Sequence, residues 1–215
     1  MTSAATSSSI HISQHPLVLH KLTRLRSRAT EPITFRHLVR ELSQFLFYEA
    51  TQDLRVEPRT VQTPLADCSG YRIAELIGLM PILRAGLGMA EAIHDMVPDA
   101  QVWHLGLYRD DQTLEPVTYY NRLPSQPTIA ASFILDPMLA TGGSAVAAVD
   151  ILKQWGLRRI KFLGLIAAPE GVRKLQASHP DVPIYLAALD SHLNEQSYIV
   201  PGLGDAGDRQ FGTGS

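Results

Sequence analysis

Five short apolar runs constrain the fold more than any other feature of this chain: LIGLMPI (76–82), VWHLGL (102–107), IAASFIL (129–135), IKFLGLIAA (160–168) and IYLAAL (184–189). Each has strand length and is nearly continuous rather than alternating. Strands buried on both faces read this way, and a parallel sheet covered by helices imposes such burial. Helix candidates lie between the runs at 87–97, 144–155 and 170–178, the second ending at Gly156 and the third before His179 and Pro180. An earlier amphipathic helix spans 34–47, where Phe35, Leu38, Val39, Leu42, Phe45 and Leu46 recur at three- and four-residue spacing. Alternating strands and helices predict a doubly wound α/β sheet with right-handed crossovers. The polar, proline-containing stretch 109–127 is expected to be a loop with a short β-arm.

At 215 residues, 45% hydrophobic and 19% charged, the chain can close one core without dividing. The expectation is a disordered polar tail over 1–14 and a single domain over 15–215. A formal net charge of −2 gives no general attraction for nucleic acid. The first residues lack the apolar run of a secretory signal, and no stretch has the length to span a membrane, so a soluble, cytoplasmic protein is expected. The single cysteine, Cys68, reads as a buried structural thiol.

The stretch FILDPMLATGGSAVAAVDIL carries the chemistry. An apolar strand runs into Asp136, then a Thr-Gly-Gly-Ser turn, then an amphipathic helix. Ligands of parallel α/β sheets collect at strand carboxyl ends, where the next helix offers unpaired N–H groups to an anion. Gly142 and Gly143 allow close approach of backbone to phosphate, and Thr141 and Ser144 add hydroxyl donors. Asp136 is placed to accept hydrogen bonds from ribose hydroxyls. No lysine follows the glycines, which excludes a Walker loop, and G-x-G-x-x-G is absent there. TGG alone is also compatible with an ordinary ligand-free turn.

DPMLATGGS (136–144) resembles the phosphoribosyl-diphosphate motif of the uracil phosphoribosyltransferases. The resemblance continues in PILRAGLGM (81–89), YRDDQTLEP (108–116), APEGV (168–172) and YIVPGLGDAGDRQFGT (198–213), with HPLVLHKLTRLR and YEATQDL matching the family's amino-terminal region. It implies a type I phosphoribosyltransferase fold, a doubly wound, mostly parallel α/β sheet with a small hood and β-arm. It implies the reaction of uracil with 5-phosphoribosyl 1-diphosphate (PRPP) to give UMP and diphosphate in pyrimidine salvage. Mg2+, a homodimeric or homotetrameric state and, in some members, a GTP effector come with it.

By the same resemblance, Arg84, Arg109, Asp136 and Asp205 are the catalytic candidates. PRPP falls to Arg84, Arg109, Asp136, Pro137, Met138, Leu139, Ala140, Thr141, Gly142, Gly143, Ser144 and Asp205, with Mg2+ held by Asp205 through water. Uracil falls to Ile199, Gly204, Asp205 and Ala206. Arginine forks suit phosphate oxygens, and Mg2+ retains waters and substrate phosphates rather than an all-protein cage. Backbone groups can read uracil's N–H between two carbonyls and reject cytosine, whose amine sets donor against donor. Tyr198 either stacks on the base or packs in the core. Asp136 is followed by Pro137 rather than by a second acid, a departure from the wider phosphoribosyltransferase pattern that the uracil branch shares.

His11, His15 and His20 lack the spacing of a metal site and read as tail and surface histidines. Lys21, Arg24, Arg26 and Arg28 read as a solvated helix face, the alternatives being an anionic-effector site or a subunit contact. The competing functional class is a catalytically idle nucleotide-sensing or RNA-binding regulator on the same fold.

Overall fold

A computed structural model describes residues 10–109, 116–121 and 123–213, with side chains described outside 107–121. At its centre is a seven-stranded sheet in which every pairing is parallel. It comprises β1 (Ile10–Ile12), β4 (Ile77–Pro81), β5 (Gln101–Val102), β8 (Ala131–Leu135), β9 (Met138–Leu139), β10 (Ile160–Ala167) and β11 (Ile184–Leu189), in the order β1-β11-β10-β8-β4-β5 with β9 beside β10. β4, β8 and β10 are buried at every position, which is why their sequences do not alternate.

Successive residues of the central strands enter two different cores. Phe133, Leu135, Leu163 and Leu165 meet α1 (Pro16–Arg26), α2 (Pro32–Ala50) and α3 (Leu87–Met96) on one face. Ile134, Phe162, Ile184 and Leu186 meet α4 (Gly143–Trp155) and α5 (Pro169–Ser178) on the other. The sheet is therefore doubly wound. Two antiparallel pairs project from it: β2 (Val56–Gln62) with β3 (Asp67–Ile73), and β6 (Leu105–Arg109) with β7 (Pro116–Asn121). A small hood is formed by β12 (His192–Leu193), β13 (Ile199–Val200) and α6 (Ala206–Phe211).

Several expectations need correction. The polar tail ends earlier than residue 14, because Ile10–Ile12 pair with Ile184–Leu186 as an edge strand and His11 stacks on Tyr185 at 4.4 Å; residues 1–9 lie outside the described residues. His15 is an exposed surface histidine, as expected, with the added role that its Nδ1 accepts from Leu17 N and caps α1. VWHLGL is not one core strand. It breaks after Val102, and β6 leaves the sheet after a single bridge between Leu105 and Ile82. Cys68 is exposed on β3 rather than buried, since neither strand of that hairpin packs into a core. The basic cluster divides. Lys21 pairs with Glu41, while Arg26 is drawn into an ion pair with the nearly buried Asp190. Among the described residues no helix is long and apolar enough to cross a membrane.

Candidate active site

Strand order places the site. β4 and β8 are neighbours, but the helices that follow them cover opposite faces of the sheet, so the two strand-to-helix loops diverge and leave a crevice at the carboxyl ends. Open α/β sheets bind ligands at such a switch point. Arg84 follows β4 and Asp136 follows β8, which brings two of the four catalytic candidates to the crevice.

From Asp136 the chain passes through β9, which pairs with Ile166 and Ala167, before entering α4 at Gly142. That short strand ties the Pro137–Ala140 segment to the sheet, and the loop is a supported cradle rather than a free turn. Gly142 has φ +81°, and a Cβ there would stand 2.8 Å from the Gly171 carbonyl. A Cβ on Gly171 would in turn stand 2.4 Å from the Ala140 carbonyl. The two glycines let the first turn of α5 press against the loop, which accounts for the glycine of APEGV. No side chain caps α4, and the first α4 backbone bond recorded at that end is Val146 N to Gly142 O. The amides opening the helix are thus available to an anion, and the dipole favours one.

Asp136 sits half-buried at the carboxyl end of β8. Loss of surrounding water pushes its carboxyl up to about 7, against the opposing effect of the Met138 N–H donated to Oδ1 at 3.2 Å. The carboxylate is poised for a ligand that can supply hydroxyl donors to it.

A cis peptide joins Leu83 to Arg84. The Arg84 side chain is 61% exposed and its Nη2 lies 3.4 Å from Asp208 Oδ1. An exposed ion pair of this kind is worth little and is readily exchanged for a phosphate. Buried Gln210 donates to the carbonyls of Ala85 and Ala206, fastening the Arg84 loop to α6. Asp205 is the N-cap of α6, accepting from Asp208 N through Oδ1 at 2.9 Å. Arg84 and Asp205 therefore share one rim of the crevice, and a cavity of about 460 Å³ lined by Gly204, Asp205, Asp208, Arg209 and neighbours adjoins it. Larger cavities of about 730 and 650 Å³ lie by the β1 edge and beside α2. Neither contains a residue from the carboxyl ends of β4 or β8, so topology rather than size assigns the site.

Ile199 is buried in β13, and Gly204 and Ala206 flank Asp205 in the same hood. Tyr198 is 45% exposed, which rules out core packing. Arg109 ends β6, and its side chain lies outside the described residues. Sequence reasoning gave no role to Asp190 or Arg209 and read Arg26 as part of a solvated helix face, whereas the three hold the hood in place. The position of Asp190 directly after the apolar strand run IYLAAL was the available signal.

A parallel doubly wound sheet with an uncapped helix opening at the switch point, under a small hood, is the type I phosphoribosyltransferase architecture. An adenine phosphoribosyltransferase structure from Leishmania donovani shares this fold at TM-score 0.56 and 10% identity, covering 91% of this chain and 89% of its own. A family model described as uracil phosphoribosyltransferase matches residues 12–213, and the chain belongs to that family. A uracil phosphoribosyltransferase from Roseiflexus castenholzii is 69% identical over 205 residues, covering 95% of this chain and 99% of the relative. The structure of the AQ2163 protein from Aquifex aeolicus superposes at TM-score 0.88 with 38% identity, covering 94% and 97%.

Proposed function

We infer that the chain transfers the 5-phosphoribosyl group of PRPP to uracil, giving UMP and diphosphate in pyrimidine salvage. The observation that carries this reading is the uncapped opening of α4, reached through the Asp136–Gly142 loop that leaves β8 at the β4/β8 switch point. Amides of the Thr141–Ser144 turn hold the 5-phosphate and so orient the sugar. Asp136 accepts from the ribose hydroxyls. As diphosphate departs, positive charge develops on the ribose ring, and Arg84 and Arg109 neutralise the leaving group. Asp205 has committed only Oδ1 to the helix cap and is exposed, which fits a residue that meets Mg2+ through water beside the substrate phosphates. When bound, Mg2+ supplies further charge neutralisation on the diphosphate. Ile199, Gly204, Asp205 and Ala206 read uracil through backbone groups.

The protein works in the cytoplasm as a homodimer or homotetramer. Self-association is supported by the β2–β3 hairpin, which presents Val56, Val61, Leu65, Tyr71 and Ile73 to solvent. Incubation of the protein with uracil, PRPP and Mg2+ tests the function: UMP forms, whereas orotate, cytosine and purines give no product. Absence of UMP, combined with tight RNA binding, would favour a regulator.

A further inference from the structure

Within the basic cluster, Arg26 turns away from solvent. Its Nη1 donates to Asp190 Oδ2 at 2.8 Å and to the Gly202 carbonyl at 2.7 Å, while Nη2 donates to Asp190 Oδ1 at 2.5 Å. The Asp190 side chain is only 4% exposed, and its Oδ2 also accepts the Gly202 N–H at 2.9 Å. One ion pair thus clips both backbone groups of a single glycine. Asp190 is itself fixed to the sheet, following β11 and donating its N–H to the Ala167 carbonyl.

Gly202 closes a tight turn. Its φ is +65°, and a Cβ there would stand 2.0 Å from the Ile199 carbonyl. The Gly202 backbone is therefore packed directly against the Ile199 carbonyl, closer than any side chain at 202 would allow. A second arginine reinforces the same segment: Arg209 donates to the carbonyls of Leu25, Leu203, Ser27 and Thr30, tying the end of α1 to the hood. A nearly buried ion pair contributes little net stability relative to an apolar replacement, and holding register is its best-attested use.

We propose that Arg26 and Asp190 are positioning residues for nucleobase recognition, holding the Ile199–Gly202 turn so that its backbone meets the pyrimidine edge. The proposal rests on the reading of residues 199–206 as the uracil segment. A misplacement of about 1 Å in a positioned group costs up to roughly 100-fold. Loss of the clip should therefore raise the KM for uracil roughly 10- to 100-fold while the KM for PRPP stays within about twofold.

Steady-state kinetics of the full chain with both substrates varied test this, using Arg26→Lys, Asp190→Asn and the double variant, each with its thermal midpoint. Arg26→Lys keeps a cation against Asp190 and so spares the fold, yet a lysine cannot grip two carboxylate oxygens and a carbonyl in one fork. The expected result is a selective rise in uracil KM, with the double variant no worse than the more affected single one. A uracil KM within twofold of the parent in folded Arg26→Lys overturns the proposal, as does a fall in kcat and thermal midpoint with neither KM moved. Gly204→Ala, strained at φ +77°, separates the two levels of failure. If it raises uracil KM and Arg26→Lys does not, only the positioning role is lost. If neither moves uracil KM, the base site lies elsewhere and the proposal falls with it.

Discussion

Replacing Asp136 with asparagine should stabilise the free protein while disabling it. Burial lifts this carboxyl from 3.8 to about 7 in the folded chain. At about 1.36 kcal/mol per pKa unit, ionisation in place costs up to about 4 kcal/mol. The sign follows from proton binding. Between pH 4 and 7 the folded state holds a proton at Asp136 that the unfolded state has lost, so this group's contribution to stability falls as pH rises and levels off above pH 7. Asparagine keeps the acceptor for Met138 N–H and carries no charge, so the variant escapes the loss. The difference between variant and parent should be near zero below pH 4 and reach up to about 4 kcal/mol at pH 8. At about 2–4 °C per kcal/mol for a chain of this size, that is a thermal midpoint about 8–16 °C higher. Scanning calorimetry of both proteins at pH 5 and pH 8, without ligand, measures it. Equal midpoint differences at the two pH values would refute the reasoning, because they would show that Asp136 ionises in the fold as freely as in water. UMP formation should fall steeply in the same variant, since an amide is a weaker acceptor for ribose hydroxyls.

Arg84→Ala should raise the KM for PRPP and lower kcat, losing about 1.5–3 kcal/mol per charge-assisted contact, and unchanged initial rates would remove its role. Gly142→Ala meets both a positive φ and the Gly171 carbonyl 2.8 Å from the new Cβ; it should cost about 1–3 kcal/mol of stability in urea titration and weaken PRPP binding. For Glu75, burial alone would raise the carboxyl, but hydrogen bonds from Arg55 and Arg159 outweigh it and hold it below 4.5. Its stabilisation is therefore present above pH 4.5 and lost as pH falls through the lower folded value. Glu75→Gln should cost about 2 kcal/mol at pH 7, with the difference from the parent shrinking in acid, and a pH-independent difference would contradict the ion-pair account.

The layered core was legible because its causes are local. A strand covered on both faces must be apolar at every position, and β4, β8 and β10 announce that in five to eight consecutive residues. The loop proposed to hold the 5-phosphate was legible for the same reason, since its strand, turn and helix opening are contiguous. The β2–β3 hairpin was not, because it lies outside both cores and its scattered apolar residues are exposed rather than gathered into a buried run. β1 was missed because three residues gain strand geometry only by pairing with β11. Tertiary structure alone decided which loops face one another. Strand order set Arg84 beside Asp208, 124 residues away, and Arg26 against Asp190, 164 residues away. Sequence periodicity reports what each segment buries, whereas ion pairs at such separations exist only once the sheet has brought their carriers together.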